Sequence, residues 1–233
     1  MKSIGYFFLV YILLNATMLN AAELAYKFQI GQTYKYKYEN RINSKMSVLE
    51  KATQQNKKNT PIEFSIKAIA FDNNAFITDI NSNGKTTRRY IKPNGELKGS
   101  PAEAGQHFPF FLTFPNEDLA IDSPYNTSHT VVLGKKEFQA NRTLILKSYD
   151  ETTGIAELTF RAIIKLPEVK TGKKALSLNG KFSFNIIEGI LINASWVSKY
   201  SFGYFNKESA ISRDLWNFEH EQKHAIILTK VEE

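Results

Sequence analysis

One stretch of this chain has the residue types and spacing of a catalytic pattern: His220-Glu221-Gln222-Lys223-His224 reads H-E-x-x-H. On a helix, that order puts two imidazoles on one face as ligands for Zn²⁺ and sets the glutamate beside them as general base of a hydrolase. The element that carries the motif decides the chemistry. Residues four apart on a helix lie about 6 Å from one another. On a strand rising about 3.3 Å per residue they stand roughly 13 Å apart, too far for one ion with Zn–N bonds of about 2.1 Å.

The surroundings of the motif favour the strand. His224 runs directly into Ala225-Ile226-Ile227-Leu228-Thr229-Lys230-Val231, and Lys223 takes a position where a buried zinc helix wants an apolar side chain. No histidine follows, Glu232 and Glu233 are the only carboxylates beyond it, and His107 and His129 lie far upstream. No metal ligand is therefore expected, and a zinc hydrolase using His220, Glu221 and His224 stands as the alternative. Other signatures are missing, including the G-x-S-x-G elbow, the P-loop, G-x-G-x-x-G and the calcium loop. With no cysteine in the chain, a thiolate zinc site, an Fe–S cluster, a cysteine nucleophile and a disulfide framework are all excluded. Neither a catalytic residue nor a cofactor is expected.

Phe108, Phe110, Phe111 and Phe114, interleaved with Pro109 and Pro115, make the other notable cluster. They fall where regular patterning has stopped, so they are the candidate ligand-binding residues, forming a lid or apolar entrance. The same rings could instead plug the end of the core.

The elements that must position these residues are strands. From Glu23 onward the chain alternates apolar and polar residues in runs bounded by Asn, Asp and Gly, as half-buried strands require. Tyr34, Tyr36 and Tyr38 alternate with Lys35 and Lys37, which sends aromatics to one face and lysines to the other. Further strands are read at 62–71, 75–80, 86–91, 142–149, 155–164, 176–187, 190–198 and 224–231, with Asn83-Gly84 a strong hairpin signal. The reading is an all-β antiparallel meander of about nine or ten strands, closing as a barrel, half-barrel or sandwich. It forms one domain over 22–233, interrupted by an irregular crossover at about 97–133 that holds the phenylalanine cluster and room for a short helix near 117–120.

Residues 1–21 read as a signal peptide. Lys2 precedes the apolar run Ile4 to Leu14, and small or polar residues lead to a cut after Ala21 or Ala22. That run is shorter than the roughly 20 residues needed to span a bilayer, so no transmembrane segment is expected in the mature chain. Export without cysteine suits a periplasmic or secreted bacterial protein. The formal net charge is +7, but the basic residues are scattered doublets such as Arg88-Arg89 and Lys135-Lys136. A nucleic-acid surface concentrates them on one face, so no nucleic-acid partner is expected.

At FQIGQTYKYKYEN (28–40) and GKFSFNIIEGIL (180–191) the chain resembles a diffuse group of exported bacterial β-proteins without assigned function. More distantly, its architecture is similar to that of periplasmic lipoprotein carriers of the LolA type, a resemblance that implies an acyl-binding half-barrel and transfers no residue. The expected function is a non-catalytic exported β-protein that binds lipid, another apolar or amphipathic ligand, or an envelope partner. The alternatives are the zinc hydrolase and a purely structural envelope protein.

Overall fold

The computed structural model describes residues 21–48, 51–98, 113–133, 136–165, 175–205 and 215–232. Twelve strands cover them: β1 (Ala21–Ala22), β2 (Thr33–Val48), β3 (Lys51–Asp72), β4 (Ala75–Ser82), β5 (Lys85–Ile91), β6 (Leu119–Ala120), β7 (Pro124–Leu133), β8 (Lys136–Asp150), β9 (Ile155–Lys165), β10 (Ala175–Asn185), β11 (Ile190–Phe205) and β12 (Leu215–Glu232). The chain is all-β, as its alternation predicts, with no helix among the described residues.

Ten strands form one antiparallel sheet in the order β5-β4-β3-β2-β12-β11-β10-β9-β8-β7, and β1 pairs with β6 in a second, small sheet. The large sheet is two meanders joined where the last strand, β12, pairs with the first long one, β2. Its edge strands β5 and β7 do not pair with each other, so no full barrel forms and the architecture is an open half-barrel or sandwich. The connection from β5 to β7 passes from one edge of the sheet to the other. It contains no helix at 117–120, where Leu119 and Ala120 instead pair with Ala22 and Ala21. Residues 124–133, placed in the irregular crossover from sequence, are strand β7: their polar composition masks an alternation that edge pairing with β8 brings out.

Local chemistry sets the reversals. Asn73 and Asn74 both take positive φ (48° and 58°), as do Asn83 and Gly84 (51° and 75°). This is the geometry of two-residue hairpin turns whose twist matches the strands they join.

One face of the sheet carries the core. Tyr34 and Tyr36 from β2, Phe64 and Ile66 from β3, Ile226 from β12, Ala194 and Trp196 from β11, Phe182 and Phe184 from β10, Leu158 from β9, and Leu144 and Leu146 from β8 are all buried there. Half of this inner face is covered by the chain itself. The extended segment 23–30 lays Leu24, Tyr26 and Phe28 on it, each no more than 4% exposed. Its backbone bonds to loops in place of a strand: Tyr26 N–H donates to the Pro93 carbonyl at 2.6 Å and Lys27 N–H to that of Gly189 at 3.0 Å. Each fully buried ring contributes about 2–3 kcal/mol by leaving water.

The outer face is polar and laced with exposed ion pairs, among them Lys35 with Glu232 at 2.7 Å and Arg88 with Asp79 at 2.8 Å. Such pairs add little stability and keep the face in water.

Candidate functional site on the inner face

His220 and His224 both lie within β12, four residues apart on a continuous strand, so the pleat holds them roughly 13 Å apart. Each imidazole is engaged separately. His220 Nδ1 meets Ser44 Oγ at 2.6 Å and its Nε2 meets Gln222 Nε2 at 2.6 Å. His224 Nδ1 meets Tyr38 Oη at 2.8 Å, and its Nε2 meets Ser198 Oγ at 3.2 Å. Glu221, one residue out of phase, sits on the outer face in ion pairs with Lys199 at 3.0 Å and Lys223 at 3.7 Å. The hydrogen bond from Lys199 holds its carboxyl below the ordinary range. The three residues of the zinc pattern do not converge on one ion, and among the described residues no group of three potential ligands does.

What the strand gives His224 is a place in a three-ring aromatic cluster, in which the rings of Tyr38 and Trp196 are themselves 6.3 Å apart. Its ring lies 4.7 Å from that of Trp196 at 8° and 6.0 Å from that of Tyr38 at 15°. Burial lowers its pKa to about 4, with the nearby His220 adding to the shift, so at neutral pH the ring is uncharged. Burial also pushes the Tyr38 phenol up to about 12. That phenol is therefore protonated and able to donate to Nδ1 of the neutral ring.

The phenylalanine cluster divides. Phe108, Phe110 and Phe111 lie outside the described residues, while Phe114 is 2% exposed in the core. Its ring packs 4.9 Å from Phe184 and 5.4 Å from Tyr26, and its N–H donates to the Asn94 carbonyl at 2.7 Å. It thus belongs to the covering over one half of the inner face. The covering is tight: the void between Tyr26, Phe28, Tyr36, Phe64 and Ile226 is about 10 Å³, the size of a single water.

Beyond this covered half the inner face continues. The next row of register partners runs Asn40, His224, Trp196, Gly180, Phe160, Leu144 and Tyr125. A Cβ at Gly180 would lie 2.5 Å from Trp196 Cβ and 2.6 Å from Phe160 Cε1, so the glycine is where these two rings close over the sheet. The row after it runs Ile42, Gln222, Ser198, Leu178, Ala162, Arg142 and Thr127, and a further one holds Tyr200, Leu176, Ile164 and Ala140. Here Phe160, Leu176, Leu178 and Tyr200 are only partly buried. Sequence reading did not single out Arg142, which lies 7% exposed among these apolar neighbours and donates from Nη2 to the Thr113 carbonyl. Burial holds its guanidinium below the ordinary arginine range. The available signal was a charged residue at an inward position of the strand Arg142-Thr-Leu-Ile-Leu146.

No helix among the described residues is long and apolar enough to cross a membrane. No protein-family model matches the chain, and no curated protein sequence matches it significantly. Among solved structures, the chain is similar in fold to lipovitellin, from a study of lipid–protein interactions in that protein, with TM-score 0.52 and 12% identity over 88% of this chain. The match spans 26% of lipovitellin's length. The InvG secretin domain β-barrel of the Salmonella SPI-1 injectisome aligns with 95% of this chain and 66% of its own at 7% identity, but with TM-score 0.23 it carries no argument. At 12% identity the likeness to lipovitellin is one of fold alone.

Proposed function

We propose that this protein is an exported, non-catalytic β-protein that binds an apolar or amphipathic ligand on the uncovered half of its inner face. One observation carries the reading. The inner face is sealed by the chain's own segment 23–30 and by Phe114 along one half, and along the other it keeps Phe160, Leu176, Leu178 and Tyr200 partly exposed. An apolar surface flanked by a few placed polar groups is the usual composition of a ligand site. The fold likeness to lipovitellin, a protein described through its lipid interactions, fits this reading. Binding here is burial of apolar surface, at about 25 cal/mol per Å² removed from water, with no bond made or broken.

Export rests on the signal-like order of residues 1–21 and the lack of cysteine, and amino-terminal sequencing of protein from an envelope fraction tests it. For ligand binding, the test is native mass spectrometry of protein purified without detergent. Adducts of lipid mass that dissociate on activation are expected. Protein that is consistently bare, and that takes up no added lipid, would favour a purely structural role. The tightly filled half of the core is the feature that favours that second reading.

A further inference from the structure

Arg142 and Thr127 are register partners on neighbouring strands β8 and β7, facing the same side of the sheet. Cross-strand partners hold their Cβ atoms about 4.5–5.5 Å apart. Arg142 Nε and Thr127 Oγ1 are both buried, and neither has a hydrogen-bond partner among the described residues. The guanidinium spends Nη2 on the Thr113 carbonyl, and no described carboxylate forms an ion pair with it. A buried cation without a counter-charge is costly unless something supplies one. Along the sheet its neighbours are Ala162 and then Leu178, and Ala140 with Ile164 lies one row further on.

Resting on the ligand-binding reading above, we infer that Arg142 and Thr127 are the polar anchor for the anionic head, carboxylate or phosphate, of a single-chain amphiphile. Its tail lies along the partly exposed Leu178, Leu176 and Tyr200. The head would accept from Nε–H and from the threonine hydroxyl, two unpartnered groups on register-paired residues. Charge-assisted bonds of this kind are the strong ones. Among the described residues, no other cation and hydroxyl on the inner face are both buried with unpartnered polar atoms.

The test titrates the full chain with three probes of equal tail length: palmitate, palmitoyl lysophosphatidate and hexadecanol. The wild-type protein is compared with Arg142→Gln and Thr127→Val. At least one anionic probe should bind about tenfold or more tightly than the alcohol, and whichever anion is preferred identifies the head group. Arg142→Gln should abolish that preference while leaving hexadecanol affinity within about twofold, and Thr127→Val should weaken the anionic probe by about two- to fivefold. If Arg142→Gln fails to fold, the wild-type comparison and Thr127→Val still decide. Equal affinity for acid and alcohol, or a preference that survives Arg142→Gln, would overturn the anchor and leave acyl binding standing. Failure of all three probes to bind would overturn both.

Discussion

Trp196 and His224 face one another across β11 and β12 with ring centroids 4.7 Å apart and planes 8° from parallel. They are register partners, so the stack is a cross-strand pair, and it fixes what the histidine can do. A ring stacked on Trp196 and held beside Tyr38, with both nitrogens engaged, packs and accepts a hydrogen bond. It is neither a free base nor a convergent metal ligand.

The stack makes stability depend on pH. His224 has its pKa lowered from 6.5 to about 4 in the folded protein, so between those values the unfolded chain takes up the proton first. The group's contribution is present above pH 6.5 and is lost as pH falls through about 4. It amounts to on the order of 2 kcal/mol after allowance for partial exposure. Urea unfolding at pH 7.5, 5.5 and 4.5 should show this decline, and His224→Gln should flatten it. Equal slopes in the two proteins would contradict a neutral, buried His224.

Gly180 leaves no room for a side chain beside the stack. Gly180→Ala puts a methyl group against Trp196 and Phe160 and should destabilise by about 1–3 kcal/mol through overpacking. The checks are urea unfolding and the tryptophan emission maximum. A variant as stable as the wild type would show that the rings can part.

Phe114 should behave as core. Phe114→Ala removes a ring that packs on Tyr26, Phe182 and Phe184 and should cost about 3–5 kcal/mol. Chemical denaturation measures it. A loss under about 1 kcal/mol would mean that the covering over the sheet is not tightly packed.

The HEQKH stretch should bind no stoichiometric zinc. Glu221→Gln removes only exposed ion pairs with Lys199 and Lys223 and should change stability by less than about 1 kcal/mol. Metal analysis of purified protein, with His224→Ala as control, checks the geometry. One zinc per chain that is lost in the control would place both imidazoles on one ion.

The fold was legible where alternation was strong. Tyr34, Tyr36 and Tyr38, the Asn83-Gly84 hairpin and the β-run after His224 all carried their own signal. The strands nevertheless extend past what hydrophobicity marks. Strand β3 begins at Lys51, eleven residues before the apolar run at Ile62, because its polar first half is held by ladder bonds to β2, while β4 joins only from Phe64 onward. Strand β12 likewise starts at Leu215, before the run that follows His224. The covering segment was hidden for a different reason. Leu24, Tyr26 and Phe28 alternate like a strand, but their backbone pairs with loops at Pro93 and Gly189 that only the tertiary fold brings near. The candidate site was the least legible part. Arg142 looks like any surface arginine until its strand's phase is known, and Thr127 lies on a strand too polar to be read as one.

The most direct test of the account uses Trp196 as reporter, in a Trp216→Phe background that leaves it the single tryptophan. Palmitate carrying bromine along its chain should quench Trp196 fluorescence saturably, and unlabelled palmitate should reverse the quenching. Quenching that only rises linearly with probe concentration, or that unlabelled palmitate does not reverse, would contradict the binding of an acyl chain on the inner face.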